Sequence, residues 1–163
     1  MTNDLGAVRI RAAQPADAAS VAAVHMASRS ATMPYLPPQR RTHEEVTRWI
    51  GEVLTAECRV WVAVRGDEVV GYAALAGDLL ECLYLRPDLL RRGVGTLLLE
   101  EVARHSPTGL RLHVFAQNDG ARAFYRRHGF VVVDTDDGSG NMENLPELTL
   151  RRRPGVVRAV SGG

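Results

Sequence analysis

Residues 85–96 read Leu-Arg-Pro-Asp-Leu-Leu-Arg-Arg-Gly-Val-Gly-Thr, and this stretch decides the class of fold. A strand candidate, Leu79–Leu85, ends at the first residue of this stretch, and an apolar-rich helix candidate starts at its last residue, Thr96. The first four N–H groups of a helix lack internal partners and carry partial positive charge, so glycines at such a junction let the main chain close around an anion. The stretch therefore predicts a pyrophosphate site that needs neither lysine nor magnesium. Its expected binding residues are Arg91, Arg92, Gly93, Val94, Gly95 and Thr96.

A glycine pair at this position is also typical of a turn that needs glycine for packing alone. The dinucleotide-binding fingerprint requires a third glycine, and Leu98 stands at that position. A Rossmann fold is therefore disfavoured. A phosphate-binding loop and a packing turn both stay open on this stretch alone.

A second motif follows the next strand candidate, Leu110–Phe115. Residues 118–130 read Asn-Asp-Gly-Ala-Arg-Ala-Phe-Tyr-Arg-Arg-His-Gly-Phe. This spacing of asparagine, alanine, tyrosine and glycine–phenylalanine, together with the glycine loop, resembles the GNAT superfamily of acyl-CoA-dependent N-acetyltransferases. The resemblance extends from about Val8 to Leu150, and the two motifs together are far more specific than either alone.

The resemblance implies a single-domain α/β fold of the GNAT type. Its central sheet is mixed, mostly antiparallel and of about seven strands with flanking helices, and strands four and five splay apart around acetyl-CoA. We expect an N-acetyltransferase domain over residues 1–150 and a basic, frayed C-terminal tail over residues 151–163.

Periodicity and turn signals give an element order of βααβββαβαββ. The predicted strands are Val8–Arg11, Arg59–Val64, Val69–Leu75, Leu79–Leu85, Leu110–Phe115, Phe130–Val133 and Leu148–Leu150. The predicted helices are Asp17–Ser28, one opened by a capping box at Thr42 and Glu45, Thr96–His105, and Asp119–His128 with Gly129 at its C′ position. Long loops are expected at Arg29–Arg41 and Thr135–Pro146.

The resemblance also implies roles for individual residues. Main-chain groups of the fourth strand, at Leu83, Tyr84 and Leu85, are expected to bind the acetyl carbonyl and pantetheine. Asn118 is expected to bond the pantetheine arm, and Tyr125 to lie near the thioester sulfur. The family's loop begins with glutamine or arginine, where this chain has leucine at position 90, a departure that affects one side chain and not the main-chain amides.

The chemistry of thioester aminolysis agrees with these roles. Fixed N–H donors stabilise the oxyanion, and the Tyr125 hydroxyl can protonate the departing thiolate. An alkyl ammonium has a pKa of about 10, so a carboxylate or a water chain must take its proton. Glu81 is the candidate base because it shares a strand face with Leu83 and Leu85. The alternatives for Glu81 are ordering the strand and recognising a cationic acceptor.

Other reactive side chains give weaker signals. Tyr125 could simply pack beside Phe124, and Asn118 could cap its helix. A covalent acyl intermediate on Cys82 is imaginable, but a small buried cysteine is the commoner interpretation. The five histidines lack metal-ligand spacing, so no metal site is expected. His113 is a minor candidate for the acceptor side.

Composition excludes several functional classes. Lys plus Arg is 20, all of it arginine, against 19 acidic residues, and the net charge of +1 is no footprint of nucleic-acid binding. The absence of lysine excludes Schiff-base and usual P-loop chemistry. No apolar run approaches the roughly 20 residues of a membrane span, and no signal peptide is recognised. We expect a bacterial, cytoplasmic protein with two reduced cysteines.

The acceptor is the least determined part of the prediction. A small-molecule primary amine is expected first, and a protein N-terminus or lysine second. The loop Thr135–Pro146 lies in a run rich in carboxylates, which could attract a cationic amine or be a solvated turn. A non-catalytic acyl-CoA-binding regulatory domain and a nucleotide-binding module are the rival classes. A homodimer through an edge strand or the final hairpin is the expected assembly.

Overall fold

The computed structural model describes residues 7–37 and 39–155 and contains seven strands and five α-helices in that range. The strands are β1 Val8–Ala12, β2 Arg59–Arg65, β3 Glu68–Ala76, β4 Leu79–Leu85, β5 Leu110–Phe115, β6 Val131–Asp136 and β7 Glu147–Arg152. The helices are α1 Ala18–Thr32, α2 His43–Trp49, α3 Thr55–Glu57, α4 Val94–Arg104 and α5 Asp119–Arg127. Residues Ile50–Leu54 join α2 to α3 with π-helical bonding.

The sheet order is β1-β2-β3-β4-β5-β7-β6. The registered pairs are antiparallel except for β4 with β5, which is parallel and registers Leu79 with Arg111. Arg111 donates its main-chain N–H to the Asp78 carbonyl at 2.8 Å and its Nε to the Asp78 carboxylate at 3.1 Å. The predicted mixed, mostly antiparallel α/β fold is confirmed.

The described residues fall into two compact units. The first takes in the residues up to Gly77 together with Glu81–His105, and the second takes in Asp78–Leu80 and the residues from Ser106 onward. The predicted frayed tail, residues 151–163, starts too early: Arg151 and Arg152 belong to β7, where they pair with Arg111 and Leu110 of β5, and Arg152 is buried. Residues 156–163 lie outside the described part of the chain. No helix in the described part is long and apolar enough to cross a membrane.

The first unit has a helix layer on each face of its strands. On one face, α1 and α2 cover the apolar side of β2 and β3; the buried side chains are Val21, Val24, Val46, Ile50, Val60, Val62, Val64, Tyr72 and Ala74. On the other, α4 packs on β2 and β3 and buries Leu98, Leu99 and Val102 completely. Alternation along a strand sends neighbouring residues to opposite layers.

Several predicted boundaries are wrong. Helix α1 continues to Thr32, whose hydroxyl donates to the Ser28 carbonyl, and stops ahead of Pro34, which disfavours helical backbone at Met33. The predicted loop at Arg29 therefore starts at Met33. Helix α4 begins at Val94 and not at Thr96.

The second unit's last hairpin is also longer than predicted. Strand β6 pairs with β7 as far as Asp136 opposite Glu147, so the connecting loop begins after Asp136 and not at Thr135. The sequence did not predict this longer strand, because three exposed valines are followed by aspartates, which are poor strand formers. Pairing with β7 overrides that local preference.

Candidate active site

The glycine loop has the backbone conformation that an anion-binding turn requires. Gly93 caps the N-terminus of α4 with a φ of 89°, and Arg91 is also left-handed with a φ of 63°. A Cβ added to Gly93 would meet nothing within 4 Å, so the space beside it is open. Helix α4 then starts at Val94, and its first α-helical bond runs from the Leu97 N–H to the Gly93 carbonyl at 3.2 Å. The partial positive end of α4 thus lies next to open space.

Arg86 fixes the entry to this loop. Its guanidinium donates to both carboxylate oxygens of Asp88, at 2.7 and 2.9 Å, and to Glu68 at 2.9 Å. The main-chain N–H of Arg86 bonds the Val70 carbonyl at 2.8 Å, which ties the loop to β3. The Arg86 hydrogen bonds lower the pKa of Asp88, so the Arg86–Asp88 ion pair persists to a lower pH than an unpaired aspartate would allow. Leu90, the departure from the family pattern, is 39% exposed.

Strand β4 has different neighbours on its two faces. Leu85 lies against Gly71 of β3, where a Cβ would come 2.7 Å from Leu85 Cδ2, 3.1 Å from the Tyr84 carbonyl and 3.2 Å from Leu98 Cδ1. Cys82 and Tyr84 belong instead to the layer covered by α1 and α2. Sequence reasoning missed Gly71, because only the tertiary contacts show that β4 leaves no room for a side chain at this position.

Glu81 is exposed on β4, separated by alternation from Cys82 and Tyr84. Burial, followed by the carboxylates of Glu81 and Glu57, raises the pKa of the nearby Cys58 thiol. The base role of Glu81 stays a prediction.

Cys82 is unsuited to nucleophilic catalysis. Burial is the largest cause that raises its pKa to about 12, against a lowering hydrogen bond from Tyr72. The thiolate is the nucleophilic form of cysteine, and it is scarce at neutral pH when the pKa is this high. The structure supports the interpretation of Cys82 as a small side chain, here partly buried and packed against the core.

In the second unit, Asn118 is the N-cap of α5 and Tyr125 lies within this helix. The Asn118 carboxamide oxygen accepts the Ala121 N–H at 3.2 Å, so this residue caps α5. Tyr125 is 8% exposed, and its ring makes edge contacts with Phe124 and Phe130 at centroid distances of 5.2 and 5.3 Å. Asn118 therefore caps its helix and Tyr125 packs beside Phe124, as the alternatives for these residues predicted. Their catalytic roles stay predictions.

A cluster of aromatic rings next to β4 was missed by sequence reasoning. His25 of α1 lies between Trp49 of α2, Tyr72 of β3 and Tyr84 of β4, with ring centroids at 5.8, 6.3 and 5.2 Å. Its Nδ1 is 2.8 Å from the hydroxyl of Tyr72, which is completely buried. Burial, then Arg29 and Arg41, lower the pKa of His25 to about 4. The imidazole is therefore neutral at physiological pH.

The acidic loop between β6 and β7 uses its carboxylates within its own turns. Asp136 accepts the Gly138 N–H at 2.7 Å, and Asp137 accepts the Ser139 N–H at 2.9 Å. The bond from Ser139 lowers the pKa of Asp137. This arrangement favours the solvated turn over an attractive surface for amines. His113 of β5 is exposed and bonds Thr149 at 3.0 Å.

Two cavities among the described residues lie elsewhere in the first unit, with volumes of about 410 and 260 Å³. Both are open at the surface around Cys58 and Arg59, and no predicted site residue lines either of them. Within the same described part, no three histidine, cysteine or acidic side chains are grouped to hold a metal ion.

Comparison with known proteins identifies the class that this fold and these motifs define. The acetyltransferase (GNAT) family model matches residues 24–130. The peptidyl-lysine N-acetyltransferase YjaB of Salmonella typhimurium is 32% identical over 144 residues, covering 88% of this chain and 97% of the relative. The solution structure of apo-form YjaB from Escherichia coli superposes with a TM-score of 0.73 at 27% identity, covering 93% of this chain and 99% of that one. The chain belongs to the GNAT family of acetyltransferases and is an N-acetyltransferase.

A further solved structure shares the fold alone. The PaiA N-acetyltransferase from Thermoplasma acidophilum, solved in complex with coenzyme A, has a TM-score of 0.70 at 20% identity and covers 90% of this chain and 98% of that one.

Proposed function

We propose that this enzyme transfers an acetyl group from acetyl-CoA to the primary amine of a small molecule by direct nucleophilic attack. The observation that carries the proposal is the left-handed Gly93 at the N-terminus of α4, with open space beside it. Such a helix terminus binds phosphate oxygens through main-chain amides and the helix dipole. The amides of residues 91–96 would hold the pyrophosphate of the donor, and the bound coenzyme A of the PaiA enzyme supports this choice of ligand.

The acetyl group is then expected to lie along β4. Main-chain groups of Leu83, Tyr84 and Leu85 would bind its carbonyl, and fixed N–H donors act most strongly where negative charge develops. Gly71 supports this arrangement, since the missing Cβ lets Leu85 and Tyr84 pack directly against β3.

Two side-chain roles complete the mechanism. Tyr125 would donate its hydroxyl proton to the departing thiolate while Asn118 holds the pantetheine arm. Glu81, or a water that it orders, would accept the proton of the attacking ammonium; its exposure on β4 is compatible with delivery of that proton to solvent.

A peptidyl lysine is the second candidate acceptor, because it is the named substrate class of the Salmonella relative that covers 88% of this chain. Transfer of radiolabelled acetyl to aminoglycosides, polyamines, amino acids and lysyl peptides decides between the two. Greater kcat/KM on peptides than on every free amine would replace our first choice with the second.

Tests of the catalytic residues follow from the same assay. We expect Tyr125→Phe to lower kcat by about 10²-fold or more, since general acids contribute on that scale. Glu81→Gln should alter the acidic limb of the pH–rate profile, while Glu57→Gln, which removes another exposed carboxylate, should leave it in place. An unchanged acidic limb in Glu81→Gln would exclude Glu81 as the base.

Ligand binding separates the rival classes. Acetyl-CoA at about 100 times its Kd should stabilise the fold by roughly 2.7 kcal/mol, visible as a rise in Tm. Binding without transfer to any amine would indicate a regulatory acyl-CoA-binding protein. A shift with ATP or NAD and none with acetyl-CoA would indicate a nucleotide-binding module.

A further inference from the structure

Two arginines next to the His25 cluster carry charge that no described carboxylate neutralises. Arg29 lies four residues after His25 on α1, so both project from the same helix face. The Arg29 Nη1 donates to the neutral carbonyl of Pro37 at 2.8 Å. Arg41 lies just before α2 and is exposed. After burial, which is the largest cause, both guanidinium groups lower the pKa of His25, in agreement with positive charge on this side of the imidazole.

Five other arginines of the described chain have a carboxylate partner. These arginines, each with an acidic oxygen within 4.0 Å, are Arg11, Arg48, Arg86, Arg104 and Arg111. Among the described ion pairs, neither Arg29 nor Arg41 takes part. Arginine presents planar N–H donors that match a carboxylate, and a guanidinium already bonded to a neutral carbonyl keeps further donors for such a partner.

The rings beside these arginines offer an apolar surface of the right kind for an alkyl stem. Trp49, Tyr84 and His25 are each partly exposed, whereas Tyr72 behind them is fully buried and fixes the imidazole through its hydroxyl. Tyr84 belongs to the β4 segment whose main chain is proposed to bind the acetyl carbonyl. An acceptor lying on these rings would therefore have its amine close to that segment.

We propose that an acceptor corner, formed by Arg29 and Arg41 together with the rings of His25, Trp49 and Tyr84, selects acceptors that carry a carboxylate at the far end of an alkyl stem from the reactive amine. This inference rests on the proposed function and names its substrate class. The rings contact the alkyl stem, and the two guanidinium groups bind the carboxylate. Polyamines are disfavoured because they bring only positive charge to a positive corner.

The test uses acceptors that differ only in the carboxylate. Nα-acetyl-lysine and Nα-acetyl-lysine amide share the same alkyl amine, and the wild-type enzyme should prefer the former by about 10-fold or more in kcat/KM, the scale of one hydrogen bond to a charged group. Arg29→Gln and Arg41→Gln should abolish this preference mainly through KM. Arg29→Lys, which keeps the charge and loses the planar fork, should retain part of it.

Arg48→Gln is the matched control, because Arg48 is exposed on α2 and pairs with Glu44. It should keep the full preference. Equal activity on both acceptors, or a preference that persists in both glutamine variants, overturns the inference. In peptides, Ac-Asp-Lys-Ala-NH₂ should be preferred over its Asn counterpart if a flanking residue of a protein substrate supplies the carboxylate.

A measurement without turnover separates this inference from the proposed function. Nα-acetyl-lysine should shift the NMR signal of the Trp49 indole N–H, assigned with Trp49→Phe, and its amide should shift it at least about 10-fold more weakly at equal concentration. That result supports the corner even if no amine is acetylated, an outcome that would overturn the proposed function alone. If neither ligand shifts the signal, the proposed corner is wrong.

Discussion

Gly71→Ala tests whether the close approach of β4 to β3 is required. The added Cβ would lie 2.7 Å from Leu85 Cδ2, 3.1 Å from the Tyr84 carbonyl and 3.2 Å from Leu98 Cδ1. The two leucine contacts can move by side-chain rotation, but the carbonyl can move only with the strand. Overpacking of this kind costs typically about 1–3 kcal/mol. In a domain of this length, 1 kcal/mol corresponds to about 2–4 °C in Tm, so we expect a fall of roughly 4–8 °C for a cost near 2 kcal/mol.

Gly120→Ala is the matched control. Gly120 lies in α5 with nothing within 4 Å of an added Cβ and without a positive φ, so alanine should stabilise the protein by up to about 1 kcal/mol. Calorimetry on both variants gives the two shifts in Tm, which should have opposite signs.

A second substitution localises the strain. Leu85→Val shortens the side chain nearest the new methyl group, so the double variant with Gly71→Ala should be less destabilised than the sum of the single variants, by about 0.5 kcal/mol or more. A Gly71→Ala protein as stable as wild type, or strictly additive effects in the double variant, would refute the packing explanation.

Three further predictions concern other parts of the chain. The pKa of His25 falls from 6.5 to about 4 on folding, so the unfolded state binds the proton first as the pH falls. About 3 kcal/mol of stability is therefore lost between pH 6.5 and pH 4. Urea unfolding should show a shallower dependence of the unfolding free energy on pH in His25→Gln and an unchanged one in His43→Gln. Cys82, with a pKa of about 12, should resist a thiol reagent at pH 8 until the protein unfolds. We also expect Cys82→Ala to transfer acetyl groups at the wild-type rate. An acetyl-thioester trapped on Cys82 would contradict the absence of a covalent intermediate. Gly138→Ala, with a φ of 90° and backbone atoms 2.3 Å from the added Cβ, should make the β6–β7 loop protease-sensitive, whereas Gly140→Ala, which meets nothing within 4 Å, should leave its cleavage rate as in wild type.

Local patterns were sufficient for most of the fold. The apolar runs of β2, β3 and β4, the capping box at Thr42 and the glycine that ends α5 are each set by neighbours in sequence, and the structure contains all of them. Thr42 accepts the Glu45 N–H at 3.1 Å, as the box requires. The boundaries that were missed, at Thr32 and Asp136, depend on a helix-end bond and on strand pairing.

The candidate site divides in the same way. The sequence alone indicated the glycine loop, because Gly93 and Gly95 determine what the backbone at a strand-to-helix junction can adopt. It also indicated Asn118 and Tyr125, because their spacing resembles a motif of the GNAT superfamily. The residues of each motif lie in one short stretch of the chain, so recognising the motif does not depend on distant contacts.

Only the tertiary structure decided which distant side chains meet. Gly71 matters because β4 passes over it, and the pKa of His25 is low because Tyr72, Trp49 and Tyr84 enclose a ring that sequence spacing leaves on an ordinary helix. Burial and electrostatic potential are sums over groups remote in sequence. A single chain without alignment carries no local signal for them, which is why the proposed acceptor corner became visible only in the folded protein.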